Sequence, residues 1–100
     1  MRLTSSQIRV ILDAVARETG AGARVVLYGS RVDDRRYGGD IDLLIESFTP
    51  LSLWQRARIK TALEAALQSP VDVIAKRKDA TPTPFQAIAL MTGVELGATP

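Results

Sequence analysis

The stretch that decides the fold of this chain is LYGSRVDDRRYGGDIDLLIE, residues 27–46. It joins two apolar runs through a polar loop. Gly29-Ser30 closes the first run and Asp40-Ile41-Asp42 opens the second, so two carboxylates stand two residues apart. Because residues i and i+2 of a strand point to the same side, these carboxylates would lie about 6–7 Å apart on one face. The stretch predicts two strands that meet at a polar site.

The strands can be placed from the alternation of apolar and polar residues. Residues 25–28 predict a short buried strand, and residues 40–46 predict a second one. In the second strand Ile41, Leu43 and Ile45 share one face. Leu44 shares the opposite face with the two aspartates, which would therefore lie on a half-buried surface.

Helices are predicted on both sides of these strands. Thr4 and Gln7 fit a capping box that opens a helix over residues 5–19. A second helix is expected to begin at Thr49-Pro50 and to run to about Gln68. Its broad apolar stripe is expected to be mainly core, with an interface as the alternative. The stripe consists of Leu53, Trp54, Ala57, Ile59, Leu63, Ala66 and Leu67.

The last third of the chain predicts three shorter elements. Residues 71–75 form a strand that carries Asp72 among apolar neighbours, and the basic tract 76–78 is interpreted as its solvated end. Residues 85–91 suggest a short helix ended by a glycine. Residues 94–96 could add a small strand.

This order of elements predicts the topology. The first two strands are joined by a loop and should pair antiparallel, whereas strand, helix and strand form a crossover that should be parallel. The fold class is therefore α+β, a small mixed β-sheet (helix-strand-strand-helix-strand-helix) with helices packed on it. In this arrangement Ser30, Asp40, Asp42 and Asp72 converge at one edge of the sheet.

Composition narrows the chemistry of that site. One hundred residues suit a single domain, 1–100. The chain has no cysteine, which fits a cytoplasmic protein, and no histidine, so a metal there must be a hard cation held by carboxylate oxygens. A net charge of +2 gives little support to nucleic-acid binding. No apolar run is long enough for a membrane span, and the N-terminus lacks the apolar core of a signal peptide.

The residue types at the predicted edge suggest a phosphate and metal site. Mg²⁺ usually takes one or two carboxylates and completes its coordination with phosphates and water. With two metal ions, three aspartates could activate an attacking hydroxyl and stabilise a pyrophosphate leaving group. Gly29 lets a phosphate approach closely, Ser30 can donate to its oxygens, and Arg31 can add a charge-assisted bond.

Each of these features also has a simpler interpretation. A Gly-Ser pair after a strand is usually a turn. An Asp-x-Asp pair is often a solvated strand face, and Asp72 could be an exposed edge residue. The combination of all three is much more specific than any one of them.

The combination resembles a known superfamily. An apolar residue, Gly29-Ser30, nine intervening residues and then Asp40-apolar-Asp42-apolar are similar to the motif of the DNA polymerase β-like nucleotidyltransferases. The closest resemblance is to the minimal nucleotidyltransferase (MNT) proteins, the antitoxin-like partners of HEPN-domain proteins. Asp72 in PVDVI stands at the place of the family's third carboxylate. The segment IALMTGVEL, residues 88–96, resembles the closing helix and strand of minimal members.

The resemblance implies a polymerase β-like nucleotidyltransferase fold and Mg²⁺-dependent transfer of a nucleoside monophosphate, AMP from ATP in the MNT proteins, to a tyrosine of a HEPN toxin. Gly29, Ser30 and Arg31 would bind the nucleotide. Asp40, Asp42 and Asp72 would be the catalytic and metal-binding residues of a two-metal Mg²⁺ site, with Asp72 also helping to deprotonate the acceptor hydroxyl.

Two other functions stay open from the sequence. The chain could be a non-catalytic antitoxin that neutralises a helical partner by forming a complex. It could also transfer a nucleotide to RNA or to a small molecule, which the short basic tract supports only weakly.

Overall fold

The computed structural model describes residues 3–20, 22–29 and 40–97. In these ranges the chain forms three helices and one four-stranded sheet. In chain order the elements are α1 (Ser5–Thr19), β1 (Arg24–Tyr28), β2 (Ile41–Ser47), α2 (Leu53–Leu67), β3 (Val71–Arg77), α3 (Pro84–Thr92) and β4 (Val94–Glu95).

The sheet is mixed, with the strand order β3-β2-β1-β4. β1 pairs antiparallel with β2, and β2 pairs parallel with β3, as the sequence predicts. The short strand β4 pairs antiparallel with β1 at the other edge. This topology confirms the predicted α+β class and puts the end of β1 beside the beginnings of β2 and β3.

One face of the sheet is covered by α1 and α2 and holds the main hydrophobic core. The predicted apolar face of β2 lies here, and Leu43 and Ile45 are completely buried. Helix α1 begins as predicted, with reciprocal hydrogen bonds between Thr4 and Gln7. The core residues are Leu3, Ile11, Ala14, Val15, Val25, Leu27, Ile41, Leu43, Ile45, Ile59, Leu63, Val71 and Leu96.

Helix α2 differs from the sequence prediction at its start and in its burial. It begins at Leu53, and its N-cap is Ser52 instead of Thr49, because Ser52 and Gln55 form the capping box. Only Ile59 and Leu63 of the predicted stripe are buried, whereas Trp54 is 75% exposed. The expectation that the stripe is mainly core is therefore wrong, because Leu53, Ala57 and Ala66 are exposed as well and Leu67 is half-buried.

The opposite face of the sheet, which we call the site face, is built from three rows of residues in register across β1, β2 and β3. These rows are Tyr28–Asp42–Asp72, Val26–Leu44–Ile74 and Arg24–Glu46–Lys76. The middle row is apolar, and Leu44 and Val26 are buried. Helix α3 covers the β1 side of this face with the buried Ala89.

The far row of the site face is an ion-pair ladder. Glu46 accepts from Lys76 at 3.2 Å and from Arg24 at 3.0 Å, and Arg24 also binds Glu95 at 2.6 Å. The Lys76 side chain is only 4% exposed. The interpretation of 76–78 as a solvated strand end is therefore wrong for Lys76, because the strand continues to Arg77 and turns Lys76 toward Glu46.

Removing Glu46 should destabilise the protein far more than removing Glu95. Glu46→Ala would leave the buried Lys76 ammonium without its carboxylate, which typically costs about 3–5 kcal/mol. Glu95→Ala removes an exposed partner of Arg24 and should cost less than about 1 kcal/mol. Urea unfolding of both variants measures the difference, and equal losses would contradict the assignment of Glu46 as the centre of the ladder.

None of the helices in the described ranges combines the length and the apolar character needed to cross a membrane.

Candidate active site

Three polar side chains form the row of the site face at the edge where β1 ends. Asp42 is in register with Tyr28 on one side and with Asp72 on the other. Asp72 is thus brought beside Asp42 from thirty residues further along the chain by the parallel pairing of β2 and β3. The predicted convergence of these two carboxylates is present in the structure.

Gly29 ends β1 in a backbone conformation that suits glycine, with φ +81°. Its α-carbon faces the Asp42 carboxylate so closely that an added Cβ would collide with Oδ2 and would lie 3.3 Å from Cγ. This space has no room for a side chain. Glycine at position 29 therefore allows the positive φ and leaves room for the Asp42 carboxylate. Without a side chain at position 29, the backbone of this residue can come close to a ligand bound beside Asp42.

The environment of Asp42 disfavours its charge. Partial burial raises the pKa of its carboxyl first, and the nearby charges of Asp72 and Asp40 and a side-chain hydrogen bond with Asp72 raise it further. Two carboxyls can share a hydrogen bond only while one of them keeps a proton. A bound cation would remove this repulsion, so the pair fits a hard divalent ion on grounds of charge as well as of ligand type.

Tyr28 lies at the end of the row, between the carboxylates and α3. Burial, followed by the charges of Asp42 and Asp72, raises the pKa of its hydroxyl to about 12, so it is neutral at physiological pH. Its ring packs edge-to-face on Phe85, with the centroids 5.8 Å apart and an interplanar angle of 83°. Phe85 is the second residue of α3, and this contact joins the helix to the row.

The remaining predicted site residues are placed less completely. Asp40 precedes β2, is exposed, and acts on Asp42 through its charge. Ser30 and Arg31 lie outside the described residues. Within the ranges that are described, no group of three or more His, Cys, Asp or Glu side chains is arranged to hold one metal ion. The structure brings Asp42 and Asp72 together, and a site closed by all three aspartates stays a prediction.

Tyr28 and Phe85 are neighbours of the site that the sequence analysis did not identify. The signal for Tyr28 was available, since antiparallel pairing of residues 25–28 with 42–45 puts it opposite Asp42. No pattern in the sequence indicated that Phe85, more than fifty residues further on, would pack against it.

The raised pKa of Asp42 predicts a pH effect on stability. A carboxyl that binds its proton more tightly in the folded state than in the unfolded state favours folding at low pH, and this contribution is lost as the pH rises from 3.8 through the folded pKa. Without divalent cations, Asp42→Asn should therefore melt higher than the wild type at pH 7, and the gap should narrow toward pH 4. A shift of about 1 kcal/mol corresponds to about 4–8 °C in Tm for a domain of this size.

Thermal unfolding of both proteins between pH 4 and pH 7 measures this gap. Using the difference between the two proteins cancels Glu18 and Glu64, whose lowered pKa values act in the opposite direction. A gap that widens toward low pH would contradict the assignment.

A concavity of about 640 Å³ lies elsewhere, between α1 and α2, and it is lined by Ala14, Arg17, Glu18, Trp54, Ala57, Arg58, Ile59, Thr61 and Ala62. These helices cover the core face of the sheet, so the concavity is separated from the aspartates by the sheet itself. Its lining offers one carboxylate, and Glu18 is already held by Arg58 at 2.8 Å. The row Tyr28–Asp42–Asp72 is therefore the candidate site.

Comparison with known proteins gives one family match. The model of a family described as "Nucleotidyltransferase domain" matches residues 8–92, which include β1, β2, β3 and all of the row. A search of curated protein sequences gives no match.

Solved structures share the fold. A complex of tri-AMPylated Shewanella oneidensis HEPN toxin with MNT antitoxin matches with a TM-score of 0.73 and 20% identity, over 97% of this chain and 74% of the other. A toxin–antitoxin structure with AMP-PNP matches with a TM-score of 0.66 and 22% identity, over 89% and 72%. A protein provisionally assigned as a minimal nucleotidyltransferase matches with a TM-score of 0.68 and 26% identity, over 89% and 88%.

Proposed function

We propose a function from the premise that the chain belongs to the nucleotidyltransferase domain family. The protein transfers a nucleoside monophosphate, AMP from ATP, to an acceptor hydroxyl on a HEPN-type toxin. By this transfer it acts as the antitoxin of that toxin. The resemblance to this family seen in the sequence is confirmed by the family match. The proposal includes the donor, the acceptor and the metal ion. It also includes a single domain of residues 1–100 that acts in the cytoplasm.

The observation that carries the proposal is the pair Asp42–Asp72 beside Gly29. Asp42 is half-buried and Asp72 is exposed beside it. Burial and then the charge of Asp72 raise the pKa of Asp42, so the two carboxylates repel each other when both are charged. They are flanked by a glycine whose Cβ position is filled by one of them. Such a pair is destabilising while both carboxylates are charged and no cation is bound, and the glycine gives Asp42 the room to lie at this edge.

Mg²⁺ fits this set of donors. Asp42 and Asp72 would hold it, and Asp40, which already acts on Asp42 through its charge, would complete the set for one or two ions. When bound, Mg²⁺ would neutralise the charge of the carboxylates and the charge that develops on the phosphates.

The residues of the chain then have separate tasks. Gly29, Ser30 and Arg31 hold the triphosphate. Asp72, at the outer end of the row, accepts the proton of the acceptor hydroxyl, whose oxygen attacks the α-phosphorus of ATP. The bond between the α-phosphorus and the bridging oxygen breaks, and pyrophosphate leaves. Tyr28 keeps its proton and excludes water from one side of the pair.

The structural neighbours support the choice of donor and acceptor. One is a complex in which a HEPN toxin is tri-AMPylated, and another contains AMP-PNP. Transfer to RNA is less supported, because Lys76 of the basic tract is buried in the ion-pair ladder and only Arg77 and Lys78 stay on the surface. A non-catalytic antitoxin is the second candidate. It would be favoured if the folded protein binds the toxin but transfers no nucleotide.

The test uses ATP labelled at either the α- or the γ-phosphate, with Mg²⁺ and a purified HEPN-type protein as the acceptor. We expect the partner to take up the α label and not the γ label. Uptake of the γ label would show phosphoryl transfer. Binding of the partner without either label, at millimolar ATP and Mg²⁺, would favour the non-catalytic antitoxin.

A further inference from the structure

Helix α3 turns its large apolar side chains to solvent. Its sequence, PFQAIALMT, contains no charged residue. The helix lies close to the sheet through small residues: Ala89 is its buried side chain, and a Cβ on Gly93, the C-cap of the helix, would meet Val26 Cγ1 at 2.6 Å. Ile88 is 62% exposed and Met91 is 85% exposed. Surface helices usually show the reverse arrangement, with their large apolar residues inside.

These exposed side chains form a stripe that begins at the active site. Phe85, Ile88 and Met91 are spaced three residues apart, so they follow one side of the helix over roughly 9 Å. Phe85 packs against Tyr28, which is in register with Asp42, whereas Gly93 at the other end lies over the middle of β1. The stripe therefore leads directly away from the carboxylates across the site face.

We propose that the stripe Phe85–Ile88–Met91 is the docking surface for the protein that carries the acceptor hydroxyl. This inference rests on the proposed function and names the place where its partner binds. A molecule seated on the stripe borders the row Tyr28–Asp42–Asp72, so it is the molecule that presents its hydroxyl there. A second copy of this chain on the stripe would instead cover the approach to the row.

The chemistry of the stripe selects a protein over a nucleic acid. Recognition of RNA depends on cations that contact phosphates, and α3 has none. An apolar stripe of three large side chains fits the apolar face of a helix, and a few such residues at the centre of an interface usually dominate its affinity.

A second exposed apolar patch, at the start of α2, lies too far from the aspartates to serve this role. Leu53 and Trp54 are exposed and follow the end of β2. This strand is seven residues long and begins at the aspartates, so its end lies about 20 Å from them. Trp54 also borders the concavity on the core face, on the other side of the sheet. A partner bound there would have its acceptor group on the wrong side.

The test compares Ile88→Glu and Met91→Glu with Trp54→Glu as the matched control, since all three residues are exposed and apolar. The probe is the same purified HEPN-type protein as in the transfer test, and its affinity is measured by titration. We expect both α3 variants to weaken binding by about 30-fold or more and Trp54→Glu to change it by less than about twofold. Affinity for ATP with Mg²⁺ and the circular dichroism spectrum should be unchanged in all three.

Several results would overturn the docking surface: wild-type affinity in both α3 variants, a loss confined to Trp54→Glu, or a wild-type dimer that Met91→Glu dissociates. Failure of the proposed function is visible separately. If the partner binds through the stripe and the wild type nevertheless transfers no nucleotide, the docking surface stands as that of a non-catalytic antitoxin and the proposed transfer is wrong.

Discussion

Asp42→Asn is expected to lose nucleotide transfer by at least about 10³-fold while the protein stays folded. The amide keeps the size of the side chain but removes the charge that a hard cation needs, at the position where the pair Asp42–Asp72 is formed. It also removes the buried charge and the repulsion that together raise the pKa of Asp42, so activity and stability should change in opposite directions. Single-turnover transfer of labelled AMP and thermal melting of the same sample measure both.

The matched control for this variant is Asp13→Asn. Asp13 is an exposed carboxylate on α1, the helix that packs on the core face. Its variant has the same change in charge and should keep wild-type transfer within about twofold. If Asp42→Asn were as active as Asp13→Asn, Asp42 could not be a ligand or a catalytic group.

Gly29→Ala is expected to lose both stability and transfer. The methyl group would be placed at φ +81° and would collide with the Asp42 carboxylate, so either the turn or the carboxylate has to move. Left-handed backbone costs an alanine about 1–2 kcal/mol by itself, and the collision should bring the total to about 2–4 kcal/mol. Urea unfolding and single-turnover transfer check the two effects.

Gly20→Ala separates backbone strain from the collision. Gly20 also has a positive φ, +73°, but an added Cβ would meet nothing within 4 Å. Because its ψ of −165° puts it in a region that is nearly restricted to glycine, this variant should lose about 1–3 kcal/mol, but it should keep full transfer. Equal losses of stability and transfer in the two variants would show that the space beside Asp42 is not what requires glycine at position 29.

The sequence was sufficient for the features that depend on local periodicity and on connection rules. The alternation in residues 40–46 assigned Ile41, Leu43 and Ile45 to the core face. The loop and crossover connections predicted both strand pairings and hence the meeting of Asp42 with Asp72. These predictions succeeded because strand alternation and crossover geometry leave few alternatives.

The sequence was insufficient where two local signals competed or where burial depended on distant partners. Thr49-Pro50 and Ser52-x-x-Gln55 are both helix starts, and the reciprocal capping box at Ser52 prevailed. The exposure of Trp54 follows from the orientation of α2, which turns Ile59 and Leu63 toward the sheet. Lys76 is buried because Glu46 is opposite it, thirty residues away. Only the packed fold determines these outcomes.

The most direct test of the central claim is the intact mass of the HEPN-type partner after incubation with this protein, ATP and Mg²⁺. The account predicts mass increments of adenylyl groups on the partner with the wild type and with Asp13→Asn, and no increment with Asp42→Asn. An unmodified partner in a stable complex with the ATP-bound wild type would contradict it, as would adenylyl increments that persist in Asp42→Asn.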